Sequence, residues 1–307
     1  MNNIKKWQAD IDIDVEQVKH CLLAQFSNLL PLKNIQLIDE GWDNRVFLVN
    51  ENIIFRFPRR KVAIELIEHE NKVLSQLQSH FSLQIPNPIY QGKPSEYYPY
   101  PFQGYVRLPG TSGESLSQAN RLASLKPLSI FLKQLHAIDE KQALHLGADS
   151  QVFDKTQVQQ AISTLNERVT QLITMGRQTI NSDEIKKEIE NIQHIKLPPD
   201  LSLVHGDLHF KHLIFNHGEL TGVIDWGDLG INHPVVDLSI IWGYPEKYHT
   251  IFYEIYGSVD QITWNYARFL ALYVAFTFLL YGQDIGRMEL VNEAIQTIKR
   301  INPKLLD

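Results

Sequence analysis

The sequence predicts a two-lobed α+β protein, with a strand-rich first part joined to a helix-rich second part. Three observations carry that expectation. The chain has 307 residues and a mass of 35.5 kDa, more than one small core accommodates. Apolar residues make up 44% and charged residues 21%, a balance that buries a sizeable interior and excludes wholesale disorder. Short apolar runs bounded by turn residues crowd the first hundred positions, whereas helical periodicity dominates from about residue 116 onward.

Taken in order, Asp14 can cap a helix running from Val15 to about Leu30, which Pro31 ends. Strand character follows at Ile35 to Ile38, Val46 to Val49 and Ile53 to Phe57, with turns at 39–44 and at Asn50-Glu51-Asn52. From Lys61 to Leu77 a helix is expected, with Ile64, Ile67, Val73, Leu74 and Leu77 on its apolar side. Ile89 to Gln91 and Gln103 to Leu108 read as further strands across a Pro- and Tyr-rich connection. Pro109-Gly110 then breaks the chain, so residues 1–106 are expected as one domain and 107–307 as another, joined by one crossing. In the second part, helices are expected at 128–138, 155–175, 182–194, 247–256, 261–281 and 287–300. One β-rich island interrupts them, at Leu201 to Val204, Leu213 to Phe215 and Leu220 to Ile224. A cleft between two such lobes is a preferred place for a ligand.

Charge and composition narrow the partners. The formal net charge is −6, with 11 basic and 12 acidic groups in residues 1–106 and 18 and 23 in residues 107–307. That balance argues against nucleic acid, which requires a basic surface, and an acidic second lobe suits a cationic ligand. The single cysteine, Cys21, excludes an intramolecular disulfide and sits in an apolar helical stretch as a core residue. The start of the chain has no apolar run after its lysines, and the apolar stretch from Phe269 to Tyr281 has 13 residues. A membrane span needs roughly 20 residues, so a cytoplasmic protein with no membrane partner, a monomer or weak dimer, is expected.

The chemistry concentrates in the β-island. Val204-His205-Gly206-Asp207-Leu208-His209-Phe210-Lys211-His212 is followed by Val223-Ile224-Asp225-Trp226-Gly227-Asp228. Each places ionisable residues directly after an apolar β run, costly in a core and natural at the edge of a site. Two carboxylates there can divide the labour of phosphoryl transfer, Asp207 taking a hydroxyl proton and Asp225 holding a metal against phosphates. His-x-Asp, a second ligand five residues on and an Asp after a buried strand form the kinase arrangement. A rival reading gathers His205, His209 and His212 with Asp207 and Asp225 around a hydrolytic transition metal, but no second His and carboxylate cluster completes it. No Gly-x-Ser-x-Gly elbow and no Walker A pattern occur.

These motifs resemble the aminoglycoside phosphotransferase family, small-molecule antibiotic kinases of the protein-kinase-like fold. The resemblance extends over roughly residues 35 to 300 and includes Glu40-Gly41-Trp42-Asp43-Asn44, Ile54-Phe55-Arg56-Phe57, Glu70, Phe102 to Gly110, Leu135-His136 and Pro234 to Leu238. It implies Asp207 as catalytic base, and Asp225 with His212 as Mg²⁺ ligands. Arg56, paired with Glu70, would steady the phosphates of ATP or GTP, and the backbone of Gly104, Tyr105 and Val106 would bond the purine edge. Asp43 and Asn44 either position phosphate or make the turn, and His205 and Asp237 brace the catalytic loop. Two residues depart from the kinase pattern: His212 stands where Asn is usual and Arg56 where protein kinases carry Lys. Arginine can still grip phosphate in bidentate fashion, whereas a hard Mg²⁺ ion prefers oxygen to imidazole. The activity implied is transfer of the γ-phosphoryl group to a hydroxyl of an aminoglycoside-type antibiotic. Macrolides, amino alcohols or sugars are alternative acceptors, and a catalytically weak nucleotide-binding module is the alternative from another class.

Overall fold

The computed structural model describes residues 9–306 except 42, 114–115, 153–154, 177–178, 193–195 and 197. Trp42 of the phosphate-side motif and residues 193–194 of an expected helix therefore lie outside the described residues. The chain divides into two compact units. The first holds the residues up to His80, Gln84–Pro109 and Val223–Asp228; the second holds Phe81–Leu83, Gly110–Gly222 and the chain from Leu229 onward. The two contiguous parts expected from the sequence are thus interleaved. Val223, which ends the last strand of the β-island, belongs to the first unit, and its N–H donates to the Gln84 carbonyl at 2.9 Å, where the second segment of that unit begins.

The first unit is built on an antiparallel sheet of β1 (Ile35–Glu40), β2 (Asn44–Val49), β3 (Ile53–Pro58), β4 (Tyr90–Gly92) and β5 (Phe102–Val106), in the order β1-β2-β3-β5-β4. Every residue of β3 is buried, because the strand is central and covered on both faces, whereas the edge strand β1 is largely exposed. Alternation along β3 sends Phe55 and Phe57 to one side and Ile54 and Arg56 to the other. The phenylalanines join Phe47, Phe102 and Tyr98 in a core closed by Val18, Cys21 and Leu22 of α1 (Val15–Gln25), and the Phe57 and Phe102 rings stack at 4.3 Å. Asp14 caps α1, accepting from the Gln17 N–H at 2.8 Å. That helix stops at Gln25, short of the expected Leu30, because Phe26 turns out of it to set its ring against Phe55 and Tyr90. On α2 (Val62–Leu77) the residues Ile67, Val73, Leu74 and Leu77 are buried, and so is Glu70.

The second unit carries helices α3 (Gln118–His136), α4 (Glu140–Leu146), α5 (Lys155–Met175), α6 (Ser182–Glu190), α7 (Val235–Leu238), α8 (His249–Tyr256), α9 (Gln261–Ile285) and α10 (Met288–Ile301). Three features differ from the periodicity reading. Pro127 lies inside α3, which starts ten residues earlier than expected at a Ser117 cap, because Leu125, Leu128, Phe131 and Leu132 bury one face across the proline. A capping box of Asp139 and Gln142 opens the short α4. The island strands β7 (Ser202–Val204), β8 (Leu213–Asn216) and β9 (Glu219–Val223) do not form one sheet: β7 pairs with β10 (Gly230–Asn232), and β8 lies between β6 (Thr111–Ser112) and β9. The apolar α9 is a buried helix, with Phe269, Leu272, Phe276 and Leu279 among its enclosed side chains. Among the described residues no helix is long and apolar enough to cross a membrane.

Gly104 shows how tightly the first core is closed, since a Cβ there would sit 2.5 Å from the Phe55 ring. Gly104→Ala is expected to lower unfolding stability by about 1–3 kcal/mol, read as a lower urea midpoint at unchanged slope.

Candidate active site

In the first unit, Arg56, Glu70 and Asp225 come together. Arg56 Nη1 donates to both Glu70 carboxylate oxygens at 2.7 Å, and Nη2 donates to Asp225 Oδ1 at 2.7 Å. Glu70 is wholly enclosed, whereas the Asp225 side chain is 46% exposed. Burial pushes the Glu70 carboxyl above its ordinary pKa, with Arg56 opposing the rise. For Arg56, burial works against the charge, but Glu70 and then Asp225 outweigh it and hold the guanidinium above its ordinary value. Asp225 has a left-handed backbone, φ 65°, a conformation that costs a non-glycine residue of order 1–2 kcal/mol. The buried Trp226 follows it, its indole N–H donating to the Val223 carbonyl at 3.1 Å.

Asp43 and Asn44 close the turn before β2 with their backbones: Arg59 N–H donates to the Asp43 carbonyl at 2.7 Å, and Gly41 N–H to the Asn44 carbonyl at 3.0 Å. The side chains do something else. Asp43 pairs with Arg60 at 2.8 Å, and the buried Asn44 Oδ1 has no hydrogen-bond partner among the described residues. Burial raises the Asp43 pKa; Arg60 opposes that rise and Asp225 adds to it. Gly104 is paired on both sides, to Phe55 of β3 and Tyr90 of β4. The β4 ladder ends there, so Tyr105 and Val106 pair with β3 alone and their other edge extends beyond β4.

In the second unit, a buried carboxylate organises the loop after β7. Asp237, wholly enclosed, accepts the His205 N–H at 2.8 Å and the Gly206 N–H at 3.0 Å, and lies 3.2 Å from His136 Nε2. Gly206 has φ 88°, a left-handed turn that glycine takes without strain. Asp207 N–H donates to His205 Nδ1 at 3.3 Å, and the Asp207 carbonyl lies 2.9 Å from His212 Nδ1. The Asp207 side chain, at the apex, is 47% exposed, whereas that of His212 is 5% exposed. His209 also turns toward Asp207, with Nε2 at 3.5 Å from Oδ2. Burial, and then the neighbouring His212, push the His209 pKa down to about 4, so its ring is neutral at physiological pH.

The sequence places His209 beside Asp207 only in the rival transition-metal grouping, and it does not give Arg60 as the partner of Asp43. The two-residue step from Asp207 to His209 was the available signal, and it reads equally as a loop.

The donor chemistry can be set against Mg²⁺. Asp225 offers hard carboxylate oxygen, which fits that ion. His212 offers nitrogen, which suits a borderline cation better.

Comparison with known proteins decides the family. A family model described as the phosphotransferase enzyme family matches residues 34–272. The chain belongs to that family. It is accordingly an enzyme that transfers phosphoryl groups to hydroxyl acceptors. This phosphotransferase is 30% identical over 133 residues to an aminoglycoside 3'-phosphotransferase of Escherichia coli, a match that covers 43% of the chain and 44% of that protein. Its fold is similar to the GDP and kanamycin complex of APH(2'')-IIIa, with a TM-score of 0.71 and 22% identity over 93% of this chain and 98% of that one. It is also similar to a macrolide 2'-phosphotransferase of Brachybacterium faecium, with a TM-score of 0.60 and 18% identity over 94% and 98% of the two chains. The fold is therefore the protein-kinase-like α+β fold of the aminoglycoside kinases.

Replacing Arg56 with Met leaves Glu70 buried without its main counter-charge, so its folded-state pKa rises further above the unfolded value. A group shifted this way binds its proton more tightly when folded. Its contribution to stability is complete below the unfolded pKa of about 4.3 and is lost as pH rises through the folded pKa. Arg56→Met is therefore expected to cost about 3–5 kcal/mol at pH 8, with a deficit that narrows toward pH 4. Urea unfolding of both proteins across that range checks the size and the sign.

Proposed function

We propose that this phosphotransferase moves the γ-phosphoryl group of ATP or GTP, with Mg²⁺, to a hydroxyl of a small cationic molecule of the aminoglycoside type. The observation that carries this reading is the setting of Asp207. Its carboxylate is half-exposed, while buried groups hold the backbone on both sides. A carboxylate fixed in this way can orient an acceptor hydroxyl and take its proton as the oxygen attacks. Arg56, steadied by Glu70, would supply fixed positive charge for the donor phosphates. Asp225 and His212 are proposed as Mg²⁺ ligands, each argued from its own unit; the ion would screen phosphate charge. The strand edge at Tyr105 and Val106 is proposed to bond the purine, and Asp43 and Asn44 to shape the phosphate side. Relatives described with kanamycin and GDP, and as an aminoglycoside 3'-phosphotransferase, support the acceptor class and keep GTP beside ATP.

One observation favours a second acceptor. A crevice of about 70 Å³ beside the loop of Asp207 is lined mainly by apolar groups, among them Leu208, Phe210, Ile240, Ala271, Val274 and Phe278. A space of that size takes only a small apolar group of an acceptor; the macrolide kinase likeness is the other support for an uncharged acceptor.

The test is Mg²⁺-dependent transfer from ATP and from GTP across aminoglycosides, macrolides and small hydroxyl metabolites. Asp207→Asn is expected to lower turnover by about 10²–10⁴-fold and to leave nucleotide affinity in place; unchanged turnover would remove Asp207 from the role. Asp225→Ala is expected to abolish Mg²⁺-dependent nucleotide binding, measured by calorimetry, and intact binding would refute its assignment. Nucleotide binding without transfer to any acceptor would favour a weak regulatory module.

A further inference from the structure

We propose that Arg60 is a second phosphate-binding arginine, paired with Asp43 in the free chain and engaged by the phosphates of a nucleoside triphosphate. This role rests on the donor site proposed around Arg56 and adds a residue to it.

Arg56, Arg59 and Arg60 lie within five residues of one another, and the first two are committed. Arg56 is buried and divides its fork between Glu70 and Asp225. Arg59 gives Nε and Nη2 to Asp12 Oδ1 at 3.1 and 3.0 Å, and Nη1 to the Gly41 carbonyl at 3.2 Å. Its Nη2 also lies 3.0 Å from Glu40 Oε1. Arg60 is the exception. Its Nη1 donates to Asp43 Oδ1 at 2.8 Å, and no other hydrogen bond or ion pair of its side chain occurs among the described residues. A guanidinium carries five N–H donors in a fixed fork, so most of this one is uncommitted.

Strand pairing sets Arg60 near the site of Arg56. Strand β2 runs antiparallel to β3 through Val46↔Arg56 and Asn44↔Pro58. Arg59 N–H then donates to the Asp43 carbonyl at 2.7 Å, closing the end of the ladder. Asp43 and Arg60 therefore stand at one end of the strand pair whose interior carries Arg56, four residues or about 13 Å of extended chain away. The Asp43 carboxyl feels both ends. Burial raises its pKa most, and after Arg60 the groups acting on it are Asp225 and Arg56.

A phosphate has the advantage over Asp43 for this guanidinium. The Arg60 and Asp43 side chains are 28% and 35% exposed, and an ion pair so open to water contributes little. A phosphate carries more charge than a carboxylate, offers three acceptor oxygens and meets the arginine fork in bidentate fashion. Engaging it breaks no buried pair. Asp43 meanwhile offsets the Arg60 charge when no donor is bound. Removing the charge of Arg60 and removing that of Asp43 should then act on triphosphate binding in opposite directions. A pair that only tied the turn to the strand would make the two losses act alike.

The experiment is calorimetric titration of the full chain with ATP and with GTP, each with Mg²⁺. Arg60→Gln is expected to weaken triphosphate binding by about 10–100-fold, and Arg60→Lys, which keeps the charge without the fork, by less. Asp43→Asn, which keeps the size of the side chain and the backbone of the turn, is expected to tighten binding by about 2–10-fold. Urea unfolding of each variant should stay cooperative with a midpoint near that of wild type. Equal affinity of Arg60→Gln and wild type overturns the role, and so does weakening by Asp43→Asn and Arg60→Gln alike. Those outcomes leave the donor site around Arg56 standing. A wild type that binds neither triphosphate refutes that site, and this role with it.

Discussion

The first unit depends on one guanidinium. Arg56 stands on the central strand of its sheet, faces away from the phenylalanine core and is shared between Glu70 and Asp225. Glu70 has no exposure to water, so its charge exists there only because Arg56 meets it. The same guanidinium holds a carboxylate 169 residues away in sequence, which makes Val223–Asp228 part of the first unit. An arginine does this better than a lysine would. Its planar fork presents separate N–H groups to two acids at once, and burial cannot readily deprotonate it. The departure from the kinase lysine is therefore a working arrangement, with one arm for Glu70 and one for Asp225.

The second unit solves a parallel problem with the opposite charge. The loop after β7 has to display an ionisable side chain without letting its backbone drift. Asp237 does this from inside, accepting two consecutive N–H groups and lying against His136, whose other ring nitrogen is 2.8 Å from the Tyr256 hydroxyl. Hydrogen bonds to a charged acceptor are roughly twice as strong as neutral ones, and this one is shielded from water. The consequence is a contrast between two aspartates thirty residues apart: the enclosed one fixes the backbone of the loop, and Asp207 at its apex stands half-exposed.

What the sequence reveals follows from how local each signal is. Asp207 and Asp225 stood out directly, because each follows an apolar β run within a few residues, whereas His212 needed the kinase spacing and the family resemblance. The strands and helices of the first unit were legible for the same reason, as were the Asp14 cap and the buried α9. The pairing of Arg56 with Glu70 needed the family resemblance, since nothing in a spacing of fourteen residues brings a strand and a helix together. Pro127 misled, because tertiary burial around it outweighs the local cost of a proline in a helix. Strands of two and three residues, β6 and β10, carry no period at all. His209 could be named in the rival metal grouping, but its approach to Asp207 depends on which way the loop turns its ring.

The charge of the second part bears on the proposed acceptor in a narrower way than its total suggests. Several of its carboxylates are already committed: Glu293 to Arg121 and Arg300, Glu188 to Arg268, Glu184 to Lys187, and Asp237 to the loop it braces. A paired acid contributes little field beyond its partner. The excess able to draw a cation is left to exposed groups such as Glu246 and Glu254, which lie at and within α8. The crevice beside the loop of Asp207, by contrast, offers mainly aliphatic groups and the rings of Phe210 and Phe278. Long-range charge governs how a ligand arrives, and the surface it meets governs whether it stays. A polycation would therefore gain from the outer acids in approaching, whereas its hold near Asp207 would depend on the less charged face of its ring system.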